Sequence, residues 1–196
     1  MNYTPIPQCV LIGDSLTQYG DNRNGFVQLL RERFQGRLQF VNLGISGLNS
    51  AQILEFAQSA EFAAALPKNV NFCVICAGAN DAATGGIQAL PLAQFLRNCQ
   101  EIADIMSKIC TDITFVAPPP VEGREGRDAA RTASYALASR QLTGVKWVDL
   151  RENWTENAML ADGIHLNDCG NALMARVLSS VIGEVEFWRR HWSEWE

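Results

Sequence analysis

The stretch Cys9-Val-Leu-Ile-Gly-Asp-Ser-Leu-Thr-Gln18 decides how the chain is read. Residues 9–12 form a short apolar, partly β-branched run, the pattern of a strand buried on both faces. The run stops at Gly13, where the chain must turn, and Asp14 and Ser15 follow at once. Open α/β sheets place their reactive groups at the carboxyl ends of buried strands. A serine in that position most often caps a turn or the next helix. A catalytic reading therefore needs a base, an orienting acid and oxyanion donors elsewhere in the chain.

Outward from this strand, apolar runs alternate with helical patterns. Beyond Ser15 a polar loop is expected to residue 24, then a helix over residues 25–35, where Phe26, Leu29, Leu30 and Phe34 share a face. A second strand over 38–43 leads into Gly44-Ile-Ser-Gly47, and Asn49 or Ser50 can cap one helix running towards residue 65. A third strand over 70–77 is followed by Gly78-Ala-Asn-Asp81 and a loop of small residues at 82–89. Pro91 opens a long helix reaching Ile109. A fourth strand at 113–117 ends at Pro118-Pro-Pro120, and a polar loop at 121–128 precedes an Ala-rich helix to about residue 142. A fifth strand over 145–150, a loop containing Asp162-Gly-Ile-His165 and a helix over 169–182 complete the alternation. Such strict β–α alternation predicts an α/β fold of three α/β/α layers around a five-stranded parallel sheet. With the common flavodoxin-like order 2-1-3-4-5, the switch point lies between strands one and three, flanked by Ser15 and Asn80.

The chain's 196 residues suffice for a single domain over 1–196. Its apolar content of 47% and charged content of 19% suit a soluble globular protein. A net charge of −5 without a basic run speaks against nucleic-acid binding. No stretch approaches the ~20 apolar residues of a membrane span, so no stable membrane insertion is expected. The start, Met-Asn-Tyr-Thr-Pro-Ile-Pro-Gln8, shows no signal-peptide pattern, and a cytoplasmic protein is expected. Cys73 and Cys76 have zinc-like spacing, yet three residues apart on a strand they face opposite ways. The six cysteines are expected to be free, buried thiols. An aromatic tail, about 185–196, places Trp188, Trp192 and Trp195 on one helical face. That stripe suits docking on its own domain, a homodimer contact or a membrane surface.

In a parallel sheet all strand ends lie on one edge, so distant residues can meet there. His165 has an acid, Asp162, three residues before it, whereas His191 has none. A carboxylate so placed can hold one ring nitrogen while the other takes the serine proton. Asp–His pairs also bind metals, but no third ligand accompanies this one. The Ser15 backbone, the Gly47 N–H and the Asn80 amide can supply oxyanion donors, although Gly47 and Asn80 also fit plain turn chemistry. The chain has no G-x-S-x-G elbow, P-loop or G-x-G-x-x-G fingerprint.

Gly13-Asp-Ser-Leu16, Asn42-Leu-Gly-Ile-Ser-Gly47, Gly78-Ala-Asn-Asp81 and Asp162-Gly-Ile-His165 resemble, in order, the four blocks of the SGNH (GDSL) hydrolases. The resemblance implies that Ser15 is the nucleophile, that Asp162 and His165 complete the triad, and that Ser15, Gly47 and Asn80 form the oxyanion hole. Asp14 and Asp81 fall in the blocks as supporting residues, and neither metal nor cofactor is implied. Leu48-Asn-Ser50 departs from the Asp-Thr-Thr of many members, which touches the acyl pocket or the next cap. Gly78-Ala-Asn-Asp-Ala82 followed by Leu90-Pro-Leu-Ala-Gln-Phe95 is similar to the isoamyl-acetate-hydrolysing esterase branch. The expected function is a serine esterase acting on small carboxylic esters through an acyl-enzyme. Alternatives on the same site are a carbohydrate deacetylase or a lysophospholipase/thioesterase. The non-enzyme alternative is a silent binding module that assembles partners through its aromatic tail.

Overall fold

The computed structural model describes residues 6–155 and 160–183. The aromatic tail and its homodimer reading lie outside these residues. Five parallel strands, β1 (Gln8–Gly13), β2 (Gln39–Gly44), β3 (Val70–Cys76), β4 (Asp112–Val116) and β5 (Lys146–Val148), form one sheet in the order β2-β1-β3-β4-β5. This is the flavodoxin-like order. β1 is central, and its Gly13 is level with Gly44 of β2 and Cys76 of β3, so the three loops that follow emerge side by side.

Alternation along β1 divides the core into two layers. Cys9 and Leu11 pack with Phe26 and Leu30 of α2 (Phe26–Arg33) and with Leu173 and Leu178 of α7 (Asp168–Gly183). Val10 and Ile12 face the other way, towards Ile53 of α3 (Ser50–Ala57), Phe95 and Ile102 of α5 (Leu92–Ser107) and Tyr135 of α6 (Ala129–Ser139). Cys73 and Cys76 separate onto these two faces as the strand period requires, and the described cysteines are free, all but Cys169 buried.

Three local expectations need correction. The residues after Ser15 are not all loop: α1 spans Ser15–Tyr19, capped by the Asp14 carboxylate on the Leu16 N–H at 3.0 Å. Five residues are too few for a hydrophobic period to show, and α1 is held by long-range bonds such as Asn42 Nδ2 to the Thr17 carbonyl at 2.7 Å. The helix expected up to residue 65 is broken into α3 and α4 (Ala60–Ala65), because the Ser59 hydroxyl caps a new start at the Phe62 N–H. Phe62 is thereby turned inward, edge-on to Phe56. The fifth strand stops at Val148, and Asp149 caps a 3₁₀ turn over Leu150–Asn153 through the Arg151 N–H.

Candidate active site

Ser15 opens α1 directly beyond β1 and is nearly buried. Its Oγ lies 2.9 Å from His165 Nε2, across 150 residues of chain. His165 Nδ1 lies 2.9 Å from Asp162 Oδ2. The other carboxylate oxygen accepts the backbone N–H groups of Ile164, at 3.1 Å, and His165, at 2.8 Å. Partial burial pushes the Asp162 carboxyl up, but the His165 N–H, the ring and the Ile164 N–H outweigh it and hold the carboxyl at about 2. An ionised carboxylate only accepts, so Nδ1 carries a ring hydrogen, and in the neutral imidazole this leaves Nε2 to accept from the Ser15 hydroxyl. The three side chains thus form one hydrogen-bonded line, Ser15–His165–Asp162.

The loop that carries Asp162 and His165 is tightly closed. Ala161 N–H donates to the His165 carbonyl at 2.7 Å, and Glu122 N–H donates to the Gly163 carbonyl at 2.9 Å. Gly163 has φ +85°, and a Cβ there would stand 2.0 Å from the Glu122 carbonyl oxygen, so no other residue fits this turn unstrained. The Tyr19 ring packs against His165 with centroids 5.0 Å apart.

Next to the end of β1, the turn after β2 and the loop after β3 meet. Gly47 has φ +85°, and its Cβ position would touch only Gln88 Nε2, at 3.8 Å. The glycine is therefore required by backbone conformation; the protein around it leaves room for a Cβ. Asn80 is buried; its Nδ2 donates to the Leu48 carbonyl at 2.8 Å, and its Oδ1 accepts from Arg127 at 3.0 Å. An amide NH₂ has two hydrogens, so one remains for a ligand oxygen.

The two further acids are structural anchors here. Asp81 receives the Ser50 N–H at 3.1 and 3.0 Å and the Ser50 hydroxyl, while Asn98 Nδ2 donates to that hydroxyl at 2.9 Å. Burial raises the Asp81 carboxyl, and the two Ser50 bonds partly offset this. Asp14 is fully enclosed, one oxygen capping α1 and the other without a hydrogen-bond partner. Burial pushes it up to about 7 against the pull of the Leu16 N–H.

Arg127, Gln88 and Tyr19 were not foreseen as parts of this region. Arg127 shares an ordinary polar loop with Arg124, and nothing in its spacing sets it apart. Beside His165 a cleft of about 570 Å³ opens, lined by Tyr19, Asn22, Arg23, Asn167 and Asp168 among others. Among the described residues no group of three His, Cys, Asp or Glu side chains gathers as a metal site. No described helix is long and apolar enough to cross a membrane.

The family model described as "GDSL-like Lipase/Acylhydrolase family" matches residues 11–173. The "GDSL esterase/lipase CPRD49" of Arabidopsis thaliana is 27% identical over 210 residues, covering 92% of this chain and 80% of that protein. The "Isoamyl acetate-hydrolyzing esterase 1 homolog" of Rattus norvegicus is 24% identical, covering 86% and 78%. Both kinds of relative match at comparable identity, so the likeness reaches the family and does not separate out the isoamyl-acetate branch. Among solved structures, the "acetyl xylan esterase AlAXEase" superposes with a TM-score of 0.73 at 21% identity, covering 89% of this chain and 99% of that one.

Proposed function

Because the chain belongs to the GDSL-like lipase/acylhydrolase family, we propose that it hydrolyses small carboxylic esters with Ser15 as nucleophile, His165 as base and Asp162 as orienting acid. The observation that carries this reading is the unbroken relay from Ser15 Oγ through His165 to Asp162, with 2.9 Å at each step. Ser15 Oγ attacks the ester carbonyl carbon while Nε2 takes its proton. The C–O bond to the alcohol then breaks, and the imidazolium returns the proton to the departing oxygen. Water, deprotonated by the same Nε2, attacks the acyl carbon; the bond to Ser15 Oγ then breaks, Oγ takes the proton back from the imidazolium, and the acid is released. Asp162 stays ionised throughout and stabilises the imidazolium. The tetrahedral oxygen is received by the N–H groups of Ser15 and Gly47 and the free N–H of Asn80.

The short loops at 82–89 and 121–128 favour compact substrates. They are joined to each other through an antiparallel bridge between Ala83 and Arg127, which limits how far they can open. The isoamyl-acetate branch is one such preference. A carbohydrate deacetylase is the second reading, favoured by Asn22, Arg23, Asn167 and Asp168, which line part of the cleft beside His165, where the leaving alcohol must sit to be reprotonated. The acetyl xylan esterase with the same fold acts on such a carbohydrate. A panel of acetyl esters with alkyl or sugar alcohols separates the two readings, and longer acyl chains test the lysophospholipase/thioesterase alternative. A single-domain enzyme in the cytoplasm completes the proposal; gel filtration with and without residues 185–196 separates a Trp-rich tail that docks on its own domain from one that pairs two copies.

The direct test is Ser15→Ala assayed on p-nitrophenyl acetate. Turnover should fall by about 10⁴-fold or more with the fold intact. Retention of a tenth of the activity rejects Ser15 as nucleophile.

A further inference from the structure

The oxyanion side of Ser15 is tied together by one guanidinium. Arg127 stands half-buried just before α6 and spends both terminal nitrogens on the loop after β3. One donates to the Ala79 carbonyl at 2.6 Å; the other reaches Asn80 Oδ1 and Gln88 Oε1, each at 3.0 Å. Gln88 Nε2 then donates to the Gly47 carbonyl at 2.9 Å, and Asn80 Nδ2 to the Leu48 carbonyl at 2.8 Å. Successive carbonyls of the turn after β2 are thus held by two amides, and both amides are held by Arg127. The Thr84 N–H to Gly126 carbonyl bond, at 3.1 Å, fixes the backbone beneath.

The chemistry of these groups makes the arrangement directional. A guanidinium has donors only, so whatever amide atom faces it must be oxygen. Asn80 must therefore turn its NH₂ away from Arg127, towards Leu48 and the site. The same constraint makes Gln88 offer its NH₂ to Gly47. Without the guanidinium, rotating either amide by a half-turn would exchange donor for acceptor, and a carbonyl aimed at an oxyanion repels it. The positive charge also polarises the Asn80 amide, which strengthens its N–H as a donor in a poorly hydrated place. A lysine ammonium lacks the planar fork needed to span the Ala79, Asn80 and Gln88 oxygens together.

We propose that Arg127 is a positioning residue for ester hydrolysis: it sets the amide orientation of Asn80 and, through Gln88, the conformation of the Gly47 turn, so both oxyanion donors are aimed before substrate arrives. The proposal rests on the oxyanion reading of Asn80 and Gly47 given above. Donors fixed beforehand act on the transition state rather than on substrate binding. Arg127 consequently governs kcat, whereas a residue that merely held the loop in place would act on stability and KM.

The test compares wild type, Asn80→Ala, Arg127→Ala, Arg127→Lys and the Asn80→Ala/Arg127→Ala double variant on p-nitrophenyl acetate, with near-ultraviolet circular dichroism as the check on folding. Arg127→Ala should lose about 10- to 100-fold in kcat with KM within about twofold, less than or equal to the loss in Asn80→Ala. The double variant should lose less than the product of the two single losses, since Arg127 acts partly through the Asn80 amide and only its route through Gln88 to Gly47 is left to remove. Added methylguanidinium should restore part of the Arg127→Ala rate, and methylammonium should not. If Arg127→Ala does not fold, Arg127→Lys carries the same comparison. Losses that multiply in the double variant, or a wild-type kcat in the Arg127 variant beside a disabled Asn80→Ala, overturn the proposal alone. A wild-type kcat in Asn80→Ala overturns the oxyanion reading beneath it.

Discussion

The two sides of Ser15 are built differently. On one side the relay is local and open: Asp162 and His165 lie three residues apart in one tight turn, with side chains 40% and 28% exposed. On the other side the region proposed to receive the oxyanion is long-range and enclosed. Asn80 is 4% exposed and Asp81 and Ser50 are wholly buried, and their partners come from segments 31 to 48 residues away. The difference follows from what each side must do. A proton relay must reach water in one half of the reaction, so its base cannot be sealed. Oxyanion donors must be fixed and poorly hydrated to discriminate a charge that exists only in the transition state. One side is therefore made by spacing, and the other by folding.

Breaking the open side should give the larger effect on rate. Asp162→Ala removes the acceptor that holds Nδ1–H, and kcat on p-nitrophenyl acetate is expected to drop by about 10³- to 10⁴-fold. A loss below tenfold would mean that the tight turn alone orients His165. The carboxyl's pH signature has a definite sign. Its folded-state pKa is depressed to about 2, so its contribution to stability is present above the ordinary carboxylate range and is lost as pH falls through about 2.

Breaking the enclosed side beneath the donors should register in stability first. Ser50→Ala deprives Asp81 of its hydroxyl partner and Asn98 of an acceptor. A buried acid left short of partners is expected to lower stability by about 1–3 kcal/mol in urea unfolding, with a smaller loss of rate than in Asp162→Ala. An unchanged unfolding midpoint would show that the two segments are held by other contacts.

The smallest effect on turnover is expected at Asp14, which sharpens the comparison by way of pH. Its pKa is raised to about 7 by burial, so the folded state keeps a proton that the unfolded chain releases from about pH 4 upward. The stabilisation is full below that point and is lost as pH rises through about 7. Asp14→Asn cannot ionise and should flatten this fall, seen as a smaller Tm difference between pH 5 and pH 8, where about 2–4 °C corresponds to each kcal/mol. An unaltered pH profile would place the titration elsewhere.

The same contrast explains what was legible from the sequence. Strand positions and the two-faced core follow from alternation and from short apolar runs such as Val10 to Ile12, because burial on both faces leaves a strong signature; the sheet order does not, and was expected only as the common order of such sheets. The geometry of Asp162 and His165 was legible too, since three residues of one turn settle it. Helix α1 was not, because its stability comes from Asn42 and the sheet edge and not from its own five residues. The break at Ser59 was hidden by good helix formers on both sides, where a single cap overrides propensity. At Gly47 the turn motif is visible in the sequence, but the positive φ that requires the glycine is visible only in the structure. Arg127 left no trace in its own segment, since its meaning depends on oxygens of Ala79, Asn80 and Gln88 brought to it by the fold.

The central claim is that one serine, Ser15, is activated by His165. Treating the intact protein with a fluorophosphonate probe and locating the adduct by peptide mass spectrometry tests it most directly. A single adduct on Ser15 is expected, absent in Ser15→Ala and strongly slowed in His165→Ala. An adduct on Ser50 or another serine, or labelling of Ser15 at the same rate without His165, would contradict it.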